Sequence, residues 1–430
     1  MNHLNKTITS LSISAIFFVA SQAKAASSED IEALRQEIKL LHEEVNTLKQ
    51  EVKANKSTKT TNTIGPYDNI EEYENKQKET IVMGNKENGI RLPGSQTSLK
   101  YYGYIETHAL HDLKQTAPSD IFTNLMFQPL DNADGQEGRT KFTAETSRIG
   151  FATTTPTANG DFKTRLEMDF YSFDRTNRNR LQLRHAYADY AGFLVGKTWS
   201  TFMDVDNLPE TLDYTGVIGA PFSRRSMVRY THDMPKVGMK ITVAAEDPED
   251  QFEGGSADEK IPQLIARLDK NFDKGNINVR TLFHEKRSFA ETKYGYGVAV
   301  GGNYKLTSKD LFMGQYTYVE GDIDQLYGSN GYSIDSTTGN ITFDKNQGFT
   351  VGYARTINDQ LRGTVAYAMN SGDSAQLANN RKLYEMFFNL IYSPIDHLEL
   401  GLEYMYGKRE TFADDKGTLS RFDLMGRYSF

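Results

Sequence analysis

From Leu99 to Phe430 apolar and polar residues take turns with a period of two. Phe162, Thr164, Leu166, Met168 and Phe170 share one side of a segment, and Lys163, Arg165, Glu167, Asp169 and Tyr171 share the other. Ile277, Val279, Thr281 and Phe283 alternate with Asn278, Arg280, Leu282 and His284 in the same way. So do Leu398, Leu400, Leu402, Tyr404 and Tyr406 with Glu399, Gly401, Glu403 and Met405. Successive side chains of a strand point to opposite faces, so this period predicts strands with one apolar and one wet face. Sixteen are predicted, starting near Leu99, Phe142, Phe162, Arg180, Phe193, Arg225, Lys236, Pro262, Ile277, Tyr294, Leu311, Gln347, Leu361, Leu383, Leu398 and Leu419. Each run is about ten residues, which at a tilt of roughly 40° rises about 25 Å, the height of a hydrocarbon layer.

The connections alternate in length. Residues 111–140, 203–224, 247–260 and 320–346 are long, whereas Thr155–Gly160, His232–Pro235, Asp269–Asn276 and Asn358–Gln360 are short. A sheet sandwich has no reason to sort its loops by end; a bacterial barrel does, with short turns on the periplasmic side and long loops outside. In the last segment Phe422, Leu424, Gly426, Tyr428 and Phe430 alternate up to the terminal aromatic. That pattern resembles the C-terminal signature of bacterial outer-membrane proteins. Three places break the alternation. Ile265 falls on the polar side, Glu145 is in phase with Ile149 and Phe151, and Leu383 to Ile391 is apolar on both sides. A bulge or a misplaced strand start is the expected cause of the first two.

The first 98 residues read differently. Lys6, the apolar run from Ile8 to Ala20 and Ala23-Lys24-Ala25 form a signal peptide, residues 1–25. Ile31, Leu34, Ile38, Leu41, Val45, Leu48 and Val52 then repeat at alternating steps of three and four, the a/d seam of a coiled coil over residues 26–53. Glu37, Glu44 and Glu51 at g and Arg35, His42 and Lys49 at e are placed to pair between chains. Residues 54–98, polar and charged, with Gly65-Pro66 and Pro93-Gly94 as turn signals, read as a flexible linker. The expected organisation is therefore signal peptide, periplasmic coiled coil, linker and an all-β transmembrane barrel from 99 to 430.

Composition narrows the function. Hydrophobic residues make up 38% of the chain, and mean hydropathy is -0.58, so a helical membrane protein is excluded. Tyr and Phe, 24 each, and 34 Gly suit many short strands. Absence of Cys removes disulfides, thiolate metal sites and a cysteine nucleophile. A net charge of -8 argues against nucleic acid as partner. No catalytic residue, metal or cofactor is expected.

A Lys or Arg facing lipid at mid-membrane costs about 2–4 kcal/mol, so charges within strands are expected to face the lumen. This rule predicts pore-lining roles for Arg148, Lys163, Arg165, Arg180, Arg184, Lys197, Arg225, Arg229, Arg267 and Arg280, with Glu167, Asp169, Glu399 and Glu403 beside them. Sixteen strands leave a water-filled bore. The connection 203–224, third at its end when counted from the first hairpin, is expected to fold inward and narrow it. Thr215–Ser223 carries no charge, which suits packing against a barrel wall. Arg224, Arg225 and Arg229 are expected to face Asp204, Asp206 and Glu210 across that constriction. An arginine-lined bore favours anions and grips carboxylates two-handed. Acidic residues of the 247–260 loop are either solvated or bind divalent cations and lipopolysaccharide.

Two stretches carry a specific resemblance. Leu183-Arg184-His185-Ala186-Tyr187-Ala188-Asp189-Tyr190 with Val195-Gly196-Lys197-Thr198-Trp199-Ser200-Thr201-Phe202, and Ser147-Arg148-Ile149-Gly150-Phe151, resemble the DcaP-like porins of Gram-negative bacteria. The succession of leader, heptads, linker and barrel is similar too. The resemblance implies a homotrimeric sixteen-stranded channel in outer-membrane lipid, passing dicarboxylates and related small acids, aromatic ones included. Ile and Val at a with Leu at d favour two strands over three, but an attached trimeric barrel overrides about three heptads. Two other functions fit a barrel. An outer-membrane enzyme needs a His with Ser or Asp near one rim, whereas His108, His111, His185, His232, His284 and His397 are scattered. A tether would use the heptads to reach the cell wall and the barrel as an anchor.

Overall fold

A computed structural model of the chain describes residues 89–430 except 115–121, 123, 132–136, 172–179 and 249–258, together with Val82–Met83 and Lys39. The expected signal peptide and coiled coil therefore lie outside the described residues. The chain divides into two units, Met1–Gln77 and Lys78–Phe430. The second unit is a closed antiparallel barrel of sixteen strands. They are β1 Ser98–Asp112, β2 Arg139–Thr143 with Arg148–Thr157, β3 Gly160–Asp169, β4 Gln182–Tyr190, β5 Phe193–Trp199, β6 Arg224–Met234, β7 Met239–Glu246 and β8 Gln263–Phe272. The second half comprises β9 Gly275–Arg287, β10 Thr292–Lys305, β11 Asp310–Glu320, β12 Lys345–Asn358, β13 Leu361–Gly372, β14 Asn380–Ile395, β15 Leu398–Thr411 and β16 Lys416–Ser429. Each begins within about three residues of its expected start. β16 closes the cylinder on β1, with Tyr428 opposite Ile105 and Phe422 opposite His111. Gly103 and Phe430 exchange backbone hydrogen bonds of 3.1 and 3.0 Å, so the terminal aromatic is part of the seam. Upstream, Ile90–Arg91 pairs with Ser98 and Leu99, and Val82–Met83 pairs with Ile90–Arg91.

The outer face is apolar all the way round. Ile105, Leu166, Val195, Val228, Val243, Leu268, Val279, Tyr296, Tyr316, Val365, Leu390 and Leu402 are all exposed there. Closure pairs each strand with a neighbour on both sides, which satisfies backbone N–H and C=O groups as a hydrocarbon layer demands. At one end the strands join through tight turns. Ala191 and Gly192 make a two-residue turn with both φ angles positive, 51° and 87°, the geometry whose twist matches paired strands.

At the other end three long connections, 113–138, 200–223 and 321–344, send residues into the cylinder. Leu125 and Met126 from the first, Val217 and Ile218 from the second and Tyr327 from the third pack on Ala366, Ala368, Leu383, Phe387, Met405 and Leu419 of β13–β16. Phe202 and Leu326 pack similarly on Ala244, Ile265, Leu282, Ala299 and Val319 of β7–β11. The core thus lies inside the barrel. Burying each of the large apolar side chains is worth about 1.5–3 kcal/mol.

These loops account for two of the broken patterns. Ile265 faces inward without a bulge because Phe202 and Leu326 cover it. In β14, Leu383, Phe387 and Ile391 face the loops while Phe388, Leu390 and Tyr392 face outward. Glu145 lies in the 144–147 interruption of β2, where its carbonyl accepts the Phe170 amide hydrogen.

Candidate functional site

The 200–223 connection, the third at its end, crosses the lumen and is pinned by its own backbone amides. Glu246 of β7 accepts from the Thr201 amide at 2.7 Å. Glu403 of β15 accepts from Leu212 and Asp213 at 2.9 and 3.0 Å. Glu385 of β14 accepts from Ile218 at 2.6 Å. All three carboxylates are buried. A buried backbone N–H that loses its acceptor is costly, so these bonds fix a loop whose regular structure is one short 3-10 turn, Val205–Asn207. Gly219, at φ +75°, lies flat on Gly348 of β12; a Cβ on either residue would meet backbone within 2.4 Å.

The first limb of this loop hugs β8–β16. Asp204 is buried 3.3 Å from Arg267 and 3.9 Å from Arg280, and it accepts from Asn207 and Asn278 at 2.6 Å. Arg280 also donates to the Phe202 carbonyl at 2.7 Å. Glu210 takes a two-handed grip from Arg362 of β13. Tyr214 then reaches the opposite side, accepting from Arg184 at 2.6 Å and donating to Asp169 at 2.7 Å. Burial pushes the Tyr214 phenol up to about 12, so it keeps the proton it donates.

On the inner wall a chain of charges runs through β3, β2, β1, β16, β15 and β13 to the loop tip. Arg165 and Arg148 lie 2.5 and 3.3 Å from Glu167. Arg148 and Arg427 stand 5.1 and 5.0 Å from the ring centre of Tyr104. Arg427 pairs with Glu106 and lies 3.3 Å from Glu399. Arg362 bridges Glu399 at 2.7 Å and Glu210 at 2.8 Å. The four guanidinium groups keep between 21% and 39% of their side-chain surface open, so they face the bore rather than a core.

The sequence-predicted residues divide as follows. Arg148, Lys163, Arg165 and Arg184 share the β2–β4 wall with this ladder, and Arg267 and Arg280 hold the loop root through Asp204. Arg229 lines a recess beneath that root, beside Asp206. Arg180 is exposed, just ahead of β4. Lys197 lies on the outer face, in register with Ala186 and Ser226 and in phase with Phe193 and Val195. Its place two residues from the strand end lets its long stem carry the charge toward the rim. The expected pairing of Arg224, Arg225 and Arg229 with Asp204, Asp206 and Glu210 is not the one found. Arg224 stacks on Trp199 at 4.4 Å, and Arg225 is buried against Asp324 at 3.3 Å and Asp322 at 4.0 Å from the 321–344 connection. Asp204 and Glu210 instead take arginines from β8, β9 and β13. Sequence reasoning missed Arg362, Arg427, Tyr104 and Glu106. Arg427 was in reach, since it alternates with Tyr428 in a strand already assigned.

The family model of the DcaP outer membrane protein matches residues 16–430. The crystal structure of the outer membrane channel DcaP of Acinetobacter baumannii superposes with a TM-score of 0.72 at 28% identity, covering 80% of this chain and 99% of that one. The trimer form of OmpT of Vibrio cholerae gives 0.53 at 13% identity, covering 78% and 99%. OmpF of Salmonella typhi in complex with daunomycin gives 0.53 at 12%, covering 78% and 98%. These last two share the fold alone. A comparison with curated proteins returns no match. With a sixteen-stranded closed barrel, an apolar outer band and a loop folded into a charged bore, the chain belongs to the DcaP outer membrane protein family and is a porin-type channel of the outer membrane.

Proposed function

We propose that this channel passes small organic anions, dicarboxylates foremost, by passive diffusion rather than by catalysis, and that it works as a homotrimer. The observation that carries the reading is the ladder of partly open arginines, Arg165, Arg148, Arg427 and Arg362, spaced along one wall and ending on the folded-in loop at Glu210. Each arginine is already held in place by a carboxylate, so its geometry is fixed before a solute arrives and little entropy is lost on contact. Each still presents free N–H edges to the bore. A dianion passing along that wall exchanges one guanidinium for the next, binding weakly enough at each to leave. Intervening Glu167, Glu399 and Glu210 repel it and keep residence short. The aromatic face of Tyr104, between two guanidinium groups, suits acids that carry a ring.

Conductance in planar bilayers tests the reading. Stepwise openings with anion-directed reversal potentials, reduced by succinate or phthalate in competition with chloride, are expected. A closed membrane after confirmed insertion overturns the channel assignment, and equal passage of potassium and chloride without competition overturns the anion preference. Trimerisation accords with the trimer form of the Vibrio cholerae neighbour and is read from heat-modifiable bands on gels. Residues 26–53 are assigned to the periplasm, in reach of the cell wall.

A further inference from the structure

Arg229 of β6 stands apart from the other inner-wall arginines. Arg148, Arg165, Arg184, Arg225 and Arg267 each lie beside a carboxylate, and Arg280 donates to a carbonyl. Arg229 makes neither a hydrogen bond nor an ion pair among the described residues, and its Nε is buried. Glu246 and Asp189 are the acids that act on it from farther away, and Arg267 repels it. Arg148, Arg225 and Arg280 also bury an Nε without an acceptor, so what sets Arg229 apart is that none of its other nitrogens has an acceptor among the described residues either, a costly arrangement for a guanidinium group.

The space in front of Arg229 is a polar recess of about 250 Å³ under the root of the folded-in loop. Lys240 of β7 and Arg267 of β8 bring two more positive charges to it, and Lys240 makes no ion pair among the described residues. Thr231 and Thr242 bring hydroxyls, bonded to each other at 3.3 Å with one hydrogen left to give. Asp206 at the rim is the acid among the lining residues. Arg267 is already shared with Asp204 and Asp269, so Arg229 and Lys240 are the cations without an ion pair among the described residues that the recess offers, against Asp206 as the one carboxylate of its lining. The volume is several times the roughly 30 Å³ share of one water molecule, so an oxyanion fits with part of its hydration. Register places the recess near the short-turn end of β6–β8, below the loop, whereas the ladder lies on β1–β3 and β13–β16.

We infer that this recess is a second anion station, which binds one small oxyanion group, carboxylate or phosphate, between Arg229 and Lys240 after it has cleared the constriction. The inference rests on the anion-channel reading and adds a site to it. Arg229 and Lys240, which make no ion pair among the described residues, hold an anion more tightly than the ladder, where every arginine is already shared with a carboxylate. The station therefore delays solutes on the short-turn side and makes their rate of entry differ between the two ends of the bore.

Trp199 is a wall of the recess and the single tryptophan of the chain, so binding has a built-in reporter. Purified full-length protein in detergent micelles is titrated with inorganic phosphate, and separately with succinate, at ionic strength held constant with potassium chloride. A saturable change in Trp199 emission is expected, with each anion displacing the other. R229Q should raise the half-saturating concentration roughly tenfold or more, as loss of a charge-assisted contact does, and R229K should recover part of it. K240Q, which removes one cation and leaves Arg229, should give a smaller rise and guards against failure of the first variant to fold. Response to phosphate alone identifies free phosphate as the ligand, and response to succinate alone identifies a carboxylate solute; both sustain the station. Equal titrations in wild type and R229Q overturn it, as does a flat emission in wild type. Bilayer conductance on the same samples separates the two ideas. A conducting channel with flat emission sinks the station only, whereas a silent bilayer sinks the channel reading.

Discussion

Arg362 holds Glu210 through two parallel hydrogen bonds, Nε to Oε2 at 2.9 Å and Nη2 to Oε1 at 2.8 Å, and so ties the inward loop to β13. Both side chains are about a third exposed, at 33% and 41%, so water screens the pair. Its contribution to fold stability is therefore about 1 kcal/mol or less. Its effect on the aperture is expected to be larger, because it sets the Glu210 side chain, whereas Asn389 of β14 holds only the Glu210 backbone carbonyl, at 2.8 Å. R362A should leave the thermal transition nearly unmoved and increase open-channel current noise in single-channel recordings. A quiet trace with unchanged conductance would remove this pair from the aperture.

Arg148 and Arg427 flank Tyr104 on the open wall. A unit charge acting across roughly 7 Å of water is worth about 0.6 kcal/mol, close to threefold in local anion concentration. R148A with R427A should lower the chloride-to-potassium permeability ratio severalfold, read as a shift of reversal potential in a salt gradient. Unshifted potentials would mean that the path runs elsewhere.

Arg225 is a different kind of residue. Its side chain is 1% exposed and faces Asp322 and Asp324, which are fully buried. R225A leaves buried carboxylates without their nearest cation, a change that costs about 3–5 kcal/mol. The melting temperature of the barrel, followed by gel mobility after heating, should fall clearly, while ion selectivity of the surviving channels stays as in wild type. The reverse result, normal melting with altered selectivity, would place Arg225 in the bore.

Burial of Asp344, aided by the nearby Asp373, pushes its carboxyl up to about 6. The folded state then binds more protons than the unfolded state between the ordinary carboxylate range and pH 6, so this residue's contribution to stability declines as pH rises through that window. It is complete at pH 4 and absent at pH 7. D344N should melt higher than wild type at pH 7.5 and converge with it near pH 4. Parallel curves across that range would show that the carboxyl is already solvated.

Strand number, strand starts and the wet face were legible because the membrane imposes one rule on every segment: apolar outward, anything inward. That same permissiveness hid the lumen. Parity says that Arg225, Arg229 and Arg280 face inward, but it is silent on which loop residue meets them. Asp204 and Arg280 are 76 positions apart and meet only because the barrel brings β5 and β9 to one bore. The apolar inner face of β14 was a legible hint that a loop covers it. Lys197 misled because a long side chain near a rim satisfies the lipid rule without facing inward. Arg362 was overlooked in a strand whose next inner positions, Thr364, Ala366 and Ala368, are too small to mark a pore wall.

The carboxylates that grip the inward loop come late in the polypeptide: Glu385 and Glu403 follow their amide partners by 167 and 190 or 191 positions. A half-inserted sheet ending before β14 holds the root of the loop through Glu246 and Asp204 but lacks the carboxyl groups that fix Leu212, Asp213 and Ile218. The narrow passage is thus the last part of the molecule to take shape, and sealing of the cylinder and sizing of its opening become one event. A partly assembled intermediate would be wide and unselective, which gives the cell a reason to keep folding and membrane entry coupled.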